Sequence, residues 1–193
     1  METLIFATNN HHKVDEVRIA LGELFKIITL KEAGIDIEIE EPYNTLQANA
    51  TEKSSIIHNL TGKNCFSEDT GLEVDFLNGE PGVKSARYAG ENRSFKANVE
   101  KLLYNLANTD KRQARFRTII SLIRDKQEFQ FEGICEGEII FEERGQHGFG
   151  YDPIFIPTGS NLTFAEMTMK EKSKFSHRKK AMNKLIFFLQ NKK

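Results

Sequence analysis

The sequence is poor in the features that mark several large protein classes. Only two cysteines occur in 193 residues, Cys65 and Cys135, both in apolar, strand-like surroundings. They have neither metal-ligand spacing nor the makings of a disulfide framework, so two buried thiols in a reducing compartment are expected. Four prolines are scattered, and no Pro/Ser/Gly-rich tract, internal repeat or low-complexity stretch interrupts the chain. That predicts a single domain over residues 1–193. Long apolar runs are missing too: stretches such as Leu185 to Leu189 fall far short of the ~20 residues that cross a bilayer. Met1-Glu2-Thr3 carries no basic start and the first apolar run ends at Ala7, so no leader is expected and a cytoplasmic location is the default. Charge of one sign is lacking as well, since 27 Lys+Arg against 28 Asp+Glu leave a net of -1. This argues against a bulk nucleic-acid or membrane-surface binder.

What is present is the composition of a folded globular chain, 39% hydrophobic and 28% charged. A chain of this length hides about 70% of its unfolded surface without staples. Leu4 to Ala7 reads as a short strand, and Asn10 as the cap of a helix with Val14, Val17, Leu21 and Leu24 at helical spacing. Further helices are predicted from about Thr45 to Leu60, with Leu46, Ala50, Ile57 and Leu60 on one face. Another carries Phe95, Val99, Leu102 and Leu106, and a last one starts near Ser176 with Ala181, Leu185 and Phe188 together. Residues 64–67 read as a strand leading to Glu68-Asp69-Thr70-Gly71, where a turn is expected before Leu72 to Asp75 resumes. Arg115 to Ile123 and Glu128 to Ile140 form an antiparallel hairpin, because so short a connection cannot cross to a parallel partner. Interleaved strands and helices make the class α/β, with a mixed sheet.

Six segments have the residue types of a site. Thr8-Asn9-Asn10-His11-His12-Lys13 joins a strand to a helix, where free backbone N–H groups favour an anion and Lys13 adds a point charge. His11 and His12 are adjacent, so they point to different sides of a helix and do not share a metal. The pair Glu68-Asp69 beside Gly71 offers hard oxygens suited to Mg²⁺, or a base for an attacking water. The acidic run Glu38 to Glu41 is a source of a further ligand or a solvated edge. Residues 79–90 form a Gly- and Pro-shaped loop in which Arg87 holds an anion or a structural salt bridge. Gly148-Phe149-Gly150-Tyr151-Asp152 sets an aromatic ring between glycines, fit to stack on something flat, and basic residues gather from Lys170 to Lys180. Walker A, kinase and Rossmann glycine patterns are absent from the sequence.

Taken in order, these motifs resemble one family. Thr8-Asn9-Asn10 with Lys13, Glu68-Asp69-Thr70-Gly71-Leu72-Glu73-Val74-Asp75, Pro81-Gly82-Val83 and Ser85-Ala86-Arg87-Tyr88-Ala89-Gly90 match the inosine/xanthosine triphosphate pyrophosphatases. Gly148 to Phe155, Phe164-Ala165-Glu166-Met167, Lys172 and Ser176-His177-Arg178 extend the match over nearly the whole chain. The resemblance implies an elongated α/β fold, a mixed sheet flanked by helices, two lobes with a central cleft, and a homodimer. It implies Mg²⁺-dependent hydrolysis of noncanonical purine triphosphates (ITP, dITP, XTP) to monophosphate and pyrophosphate. Thr8, Asn9, Asn10, His11, His12 and Lys13 would bind phosphates, and Asp69 would bind Mg²⁺ and accept the proton of water. Glu40 is placed as a second metal ligand, with Glu41 as the competing choice. Thr70, Phe149, Gly150, Tyr151, Asp152, Lys172, His177 and Arg178 would contact the substrate, the last seven around the base. Donors such as His177 or Arg178 suit the 6-oxo group that replaces the 6-amino of adenine.

The sequence departs from the commoner pattern at four places. Glu68 and Thr70 stand in an Asp-Asp-Ser-Gly motif, Pro42-Tyr43 where Thr-Gly is usual, and Ala48 where a Glu precedes Asn49. These departures leave open pyrophosphatase action on other modified or pyrimidine triphosphates, and a nucleotide-binding module without turnover.

Overall fold

A computed structural model describes residues 3–21 and 25–191. The chain opens with strand β1 (Thr3–Phe6), helix α1 (His11–Leu21) and β2 (Lys26–Thr29), followed by α2 (Leu46–Thr61) and β3 (Cys65–Val74). Then come β4 (Pro81–Gly82), α3 (Phe95–Asn105), β5 (Gln113–Arg124), β6 (Gln127–Ile139), β7 (Phe155–Pro157), α4 (Met169–Phe175) and α5 (His177–Asn191). They divide into two compact units. The first comprises residues 1–69, 118–133 and 178–193, and the second residues 70–117 and 134–177.

In the first unit, β1 pairs in parallel with β2 and with β3, Ile5 lying opposite both Ile28 and Cys65. Leu4, Phe6, Val14, Val17, Phe66, Ile120, Leu122 and the inner face of α5 close over one side, with Phe6 and Phe66 stacked at 4.5 Å. Ile5, Ala7, Leu30, Ile57, Cys65 and Ile123 fill a second cluster. In the second unit, β4 and β7 pair antiparallel with β3 and β6. Its core joins Leu72, Val74, Val99, Leu102 and Phe116 to Phe155 and Phe164. The sheet is therefore mixed and flanked by helices, an α/β fold. The β5–β6 hairpin turns on Asp125 and Lys126 alone, both left-handed at φ 52° and 65°. Left-handed geometry at both positions matches the twist of the strands.

Several local expectations hold and others need correction. Asn10 caps α1, its Oδ1 accepting from the Lys13 N–H at 3.3 Å. Leu24 lies outside the described residues. On α2 the buried face runs through Leu46, Asn49, Ala50, Lys53, Ser54 and Ile57, while Leu60 is 60% exposed. Leu60 sits in the last turn of the helix. The anticipated turn at Glu68 to Gly71 does not exist: β3 runs unbroken for ten residues, with both acids in mid-strand. Gly71 is needed for proximity instead, since a Cβ there would stand 2.6 Å from the Gly82 carbonyl oxygen.

Both cysteines are buried and free of disulfides. Burial pushes the Cys65 thiol up to about 12, so near neutral pH roughly one molecule in ten thousand or fewer carries the reactive thiolate. Native protein should give no colour with a disulfide reagent, and two thiols should appear on denaturation; rapid native labelling would contradict the packing. Among the described residues no helix is long and apolar enough to cross a membrane.

Candidate active site

The first unit gathers acids around one lysine. Thr45 caps α2 by accepting the Ala48 N–H at 3.2 Å, which sets the helix phase. Asn49 and Lys53, four residues apart, then lie on the same face. Lys53 is 6% exposed and Asp69, on β3, 5%. The Lys53 ammonium lies 3.2 Å from Asp69 Oδ1 and is in closer contact with Glu41 Oε1. The carboxamide of Asn49 donates to Asp69 Oδ2 at 3.3 Å. The acid brought to Asp69 is thus Glu41, whereas Glu40 is exposed. The segment from Ile35 to Ile39 alternates, half-burying Ile35, Ile37 and Ile39 against the core. This phase leaves Glu40 on the outer face and turns Glu41 inward.

The electrostatics follow from burial and the shared ammonium. Desolvation drives Asp69 up; Lys53 opposes it, Glu41 adds to it, and the net position is above the ordinary carboxylate. Desolvation also raises Glu41, but its ion pair with Lys53 outweighs that and brings it down to about 2. Burial disfavours a charged Lys53, yet the two acids more than reverse this and keep it an ammonium. Two carboxylates converging on one cation form a hard-oxygen donor set. Among the described residues no group of three or more His, Cys, Asp or Glu is placed to hold a metal by itself. Two carboxylates are hard-oxygen donors of the kind that suit Mg²⁺, which keeps waters and shares substrate phosphates.

Thr8 to Lys13 occupies the β1–α1 junction, as the sequence implied. Thr8 Oγ1 accepts the Asn10 N–H at 3.1 Å, and Asn9 donates to the Ile37 carbonyl at 3.0 Å. Thr8, Asn9 and His11 line a cavity of about 510 Å³ with Thr29, Lys31 and Asp36. His12 is exposed, while Lys13 reaches Glu68 at 3.3 Å. Glu68 alternates with Asp69 along β3 and so faces the opposite side of the strand. There its two oxygens take the Nε and Nη2 donors of Arg178 at 2.7 and 2.8 Å, and Glu16 takes Nη1. Arg178 is 2% exposed. Its three nitrogens are committed to carboxylates, which differs from the base-contact role implied by the sequence.

The second unit builds the aromatic turn. Gly148, at φ 76°, admits no side chain, because a Cβ would fall 2.0 Å from Asp152 Oδ2. That same oxygen accepts the Phe149 N–H at 2.9 Å and the Lys172 ammonium at 2.7 Å. Lys172 lies 5.3 Å from the Phe149 ring and 5.2 Å from Phe164, within cation–π range of both. It is delivered by α4, whose start carries a capping box between Thr168 and Glu171. The His177 ring stacks on Phe116 at 4.8 Å and 16°. Tyr151 is buried and donates its hydroxyl to the Ser85 carbonyl at 2.9 Å, so it ties the turn to the 85–87 helical turn. Gly150 and the half-buried Phe149 complete the turn, and Thr70 is half-buried on β3 just after Asp69.

Lys53, Asn49 and Glu16 were not foreseen in these roles, and Glu41 only as the alternative to Glu40. One signal was available: Leu46, Ala50, Lys53 and Ile57 follow helical spacing, which puts a lysine on an apolar face.

An α/β fold with a buried acid–lysine cluster and a strand-to-helix anion junction defines a candidate phosphoryl-transfer enzyme. The comparisons agree: the chain belongs to the Ham1 family, whose pattern it matches over residues 4–188. A Porphyromonas gingivalis protein named dITP/XTP pyrophosphatase is 50% identical over 190 residues, covering 98% of each chain. One of the same name from Flavobacterium psychrophilum is 45% identical over 97% of this chain and 99% of its own. The solved Ham1 protein of Staphylococcus aureus superposes with a TM-score of 0.91 at 39% identity, covering all of both chains. A HAM1 protein from Coxiella burnetii gives 0.90 at 35% identity over 98% and 99%.

Proposed function

We propose that this chain is a pyrophosphatase that hydrolyses noncanonical purine nucleoside triphosphates (ITP, dITP, XTP) to monophosphate and pyrophosphate. The observation that carries it is the buried carboxylate of Asp69 held between the Lys53 ammonium and the Asn49 amide, with Glu41 on the same lysine. Names of relatives up to 50% identical support the substrate class. Asp69 takes the proton from the attacking water, and its upward shift from burial brings it closer to the pH at which a base is effective. Bound by Asp69 and Glu41, Mg²⁺ would neutralise phosphate charge. Thr8, Asn9, Asn10, His11, His12 and Lys13 receive the triphosphate at the first helical turn.

For the base, Phe149 provides the stacking face, Asp152 and Lys172 the buried polar pair, and His177 a further donor, with Gly150, Tyr151 and Thr70 shaping the backbone. Arg178 acts by holding Glu68 and Glu16. Donors set for a 6-oxo group meet the 6-amino of adenine as donor against donor, which leaves polar groups unmatched. A homodimer rests on the family resemblance, and a cytoplasmic location on the two buried thiols, which suit a reducing compartment.

The test is a panel of ITP, dITP, XTP, GTP and ATP with Mg²⁺ and a pyrophosphate readout. Expected kcat/KM values for the first three exceed that for ATP by at least about a hundredfold, the size of discrimination an unmatched polar pair supplies. Equal rates on ATP and ITP would sink the specificity, and binding without pyrophosphate release would sink the enzyme.

A further inference from the structure

Asn49 is fully buried, and its carboxamide is used up by two partners. Oδ1 accepts the Tyr43 N–H at 2.9 Å. The two N–H groups of Nδ2 are divided between the Tyr43 carbonyl at 3.1 Å and Asp69 Oδ2 at 3.3 Å. One side chain therefore pins the backbone two residues beyond Glu41 and, on the other side, the carboxylate of Asp69. A buried amide with its donors and acceptor satisfied has one low-energy orientation, which makes it a rigid strut. Asp69 is then held at both oxygens, by Lys53 on Oδ1 and by Asn49 on Oδ2. These two holds differ in kind. Lys53 reaches through a flexible four-carbon stem, whereas the amide is locked to the main chain.

We propose that Asn49 is a positioning residue for divalent-cation capture, holding the Glu41 segment and the Asp69 carboxylate at a spacing fixed by the protein. This rests on the assignment of Asp69 as a metal-binding base. Alanine loses the bonds, serine is too short to reach from α2 to β3, and aspartate would place a second charge against Asp69. Partners that orient a metal ligand in this way are typically worth about ten- to a hundredfold in metal affinity.

The experiment measures Mn²⁺ binding by electron paramagnetic resonance without nucleotide, together with thermal melting and kinetics on ITP. It compares the parent with Asn49→Ala, Asn49→Ser and Asp69→Asn. For both Asn49 variants the Mn²⁺ dissociation constant should rise by about tenfold or more. Their kcat should fall with it while KM for ITP stays within about twofold, because the triphosphate and base contacts are untouched. A merely structural Asn49 would lower the melting temperature yet leave Mn²⁺ affinity of the folded protein unchanged, and that outcome overturns the proposal. If Asn49→Ala does not fold, Asn49→Ser decides. Loss of Mn²⁺ binding in Asp69→Asn with parental binding in the Asn49 variants defeats the Asn49 role alone. Parental binding in Asp69→Asn removes Asp69 as a ligand and takes the positioning role with it.

Discussion

Asp69→Asn should lower pyrophosphate release by about a thousandfold or more while leaving the protein folded. Loss of a positioned base alone costs about a hundred- to ten-thousandfold, and here the same change removes one of two carboxylates available to a cation. An amide of the same shape neither takes a proton from water nor carries charge to the metal. The fold should tolerate it. Lys53 keeps Glu41 as its ion-pair partner, and the introduced carbonyl still accepts the Asn49 amide. The sign of the stability change follows from the upward shift of Asp69. An acid raised in the folded state costs nothing below its unfolded value, and stability is lost as pH rises from there through its folded value. The neutral amide escapes that cost, so its melting temperature near neutral pH should equal or exceed that of the parent. The gap should close as pH falls and Asp69 becomes protonated. Melting curves from neutral to mildly acid pH, run beside a pyrophosphate assay on dITP, check both halves. Activity within tenfold of the parent would remove Asp69 from the chemistry.

Much of this was legible in the sequence, where local chemistry decides it. The cap at Asn10 and the β5–β6 hairpin depend on residues adjacent in the chain, so they could be placed without knowing the fold. The ordered motifs likewise pointed to the family, because close backbone approaches such as those at Gly71 and Gly148 leave a mark in the residue types. What was not legible depends on contacts across the sheet. Glu68-Asp69-Thr70-Gly71 reads as a turn by composition, yet β3 runs straight through it, paired with β1 before it and with β4 after it, and the glycine serves proximity to β4. Glu40 and Glu41 are equal as letters, and only the alternating packing of Ile35, Ile37 and Ile39 decides which turns inward. Lys53 falls on an apolar helix face by its spacing, but the two acids that hold it come from segments outside its helix. Arg178 was legible as a donor but not as one already taken, since Glu16 and Glu68 lie 162 and 110 residues away.

Removal of the Arg178 guanidinium should be the most destabilising single change in the first unit. Nε and Nη2 form a parallel fork onto both oxygens of Glu68, whose side chain is entirely shielded from water, and Nη1 reaches Glu16. Burial alone would weaken the charge on Arg178, but Glu68 and then Glu16 reverse this and hold it above its ordinary value. Arg178→Met fills similar volume yet takes both fork donors from Glu68, which keeps Lys13 at 3.3 Å. Breaking a buried pair from one side costs about 3–5 kcal/mol, which for a chain of this size lowers Tm by roughly 10 °C or more. Arg178→Lys should recover only part, because an ammonium cannot fork onto two oxygens. The double variant Glu68→Met/Arg178→Met is the informative one. It removes the stranded carboxylate together with its partner, and apolar replacement of such pairs is often neutral. It should therefore regain most of the lost stability in a denaturant titration, with Glu16 turning to water from its shallower position. Turnover should not return, because Lys13 loses the carboxylate that holds it beside the Thr8 to Asn10 loop. Stability and activity would then separate in one pair of proteins. An Arg178→Met protein within about 1 kcal/mol of the parent, the worth of an exposed ion pair, would show that the buried fork does not hold this unit together.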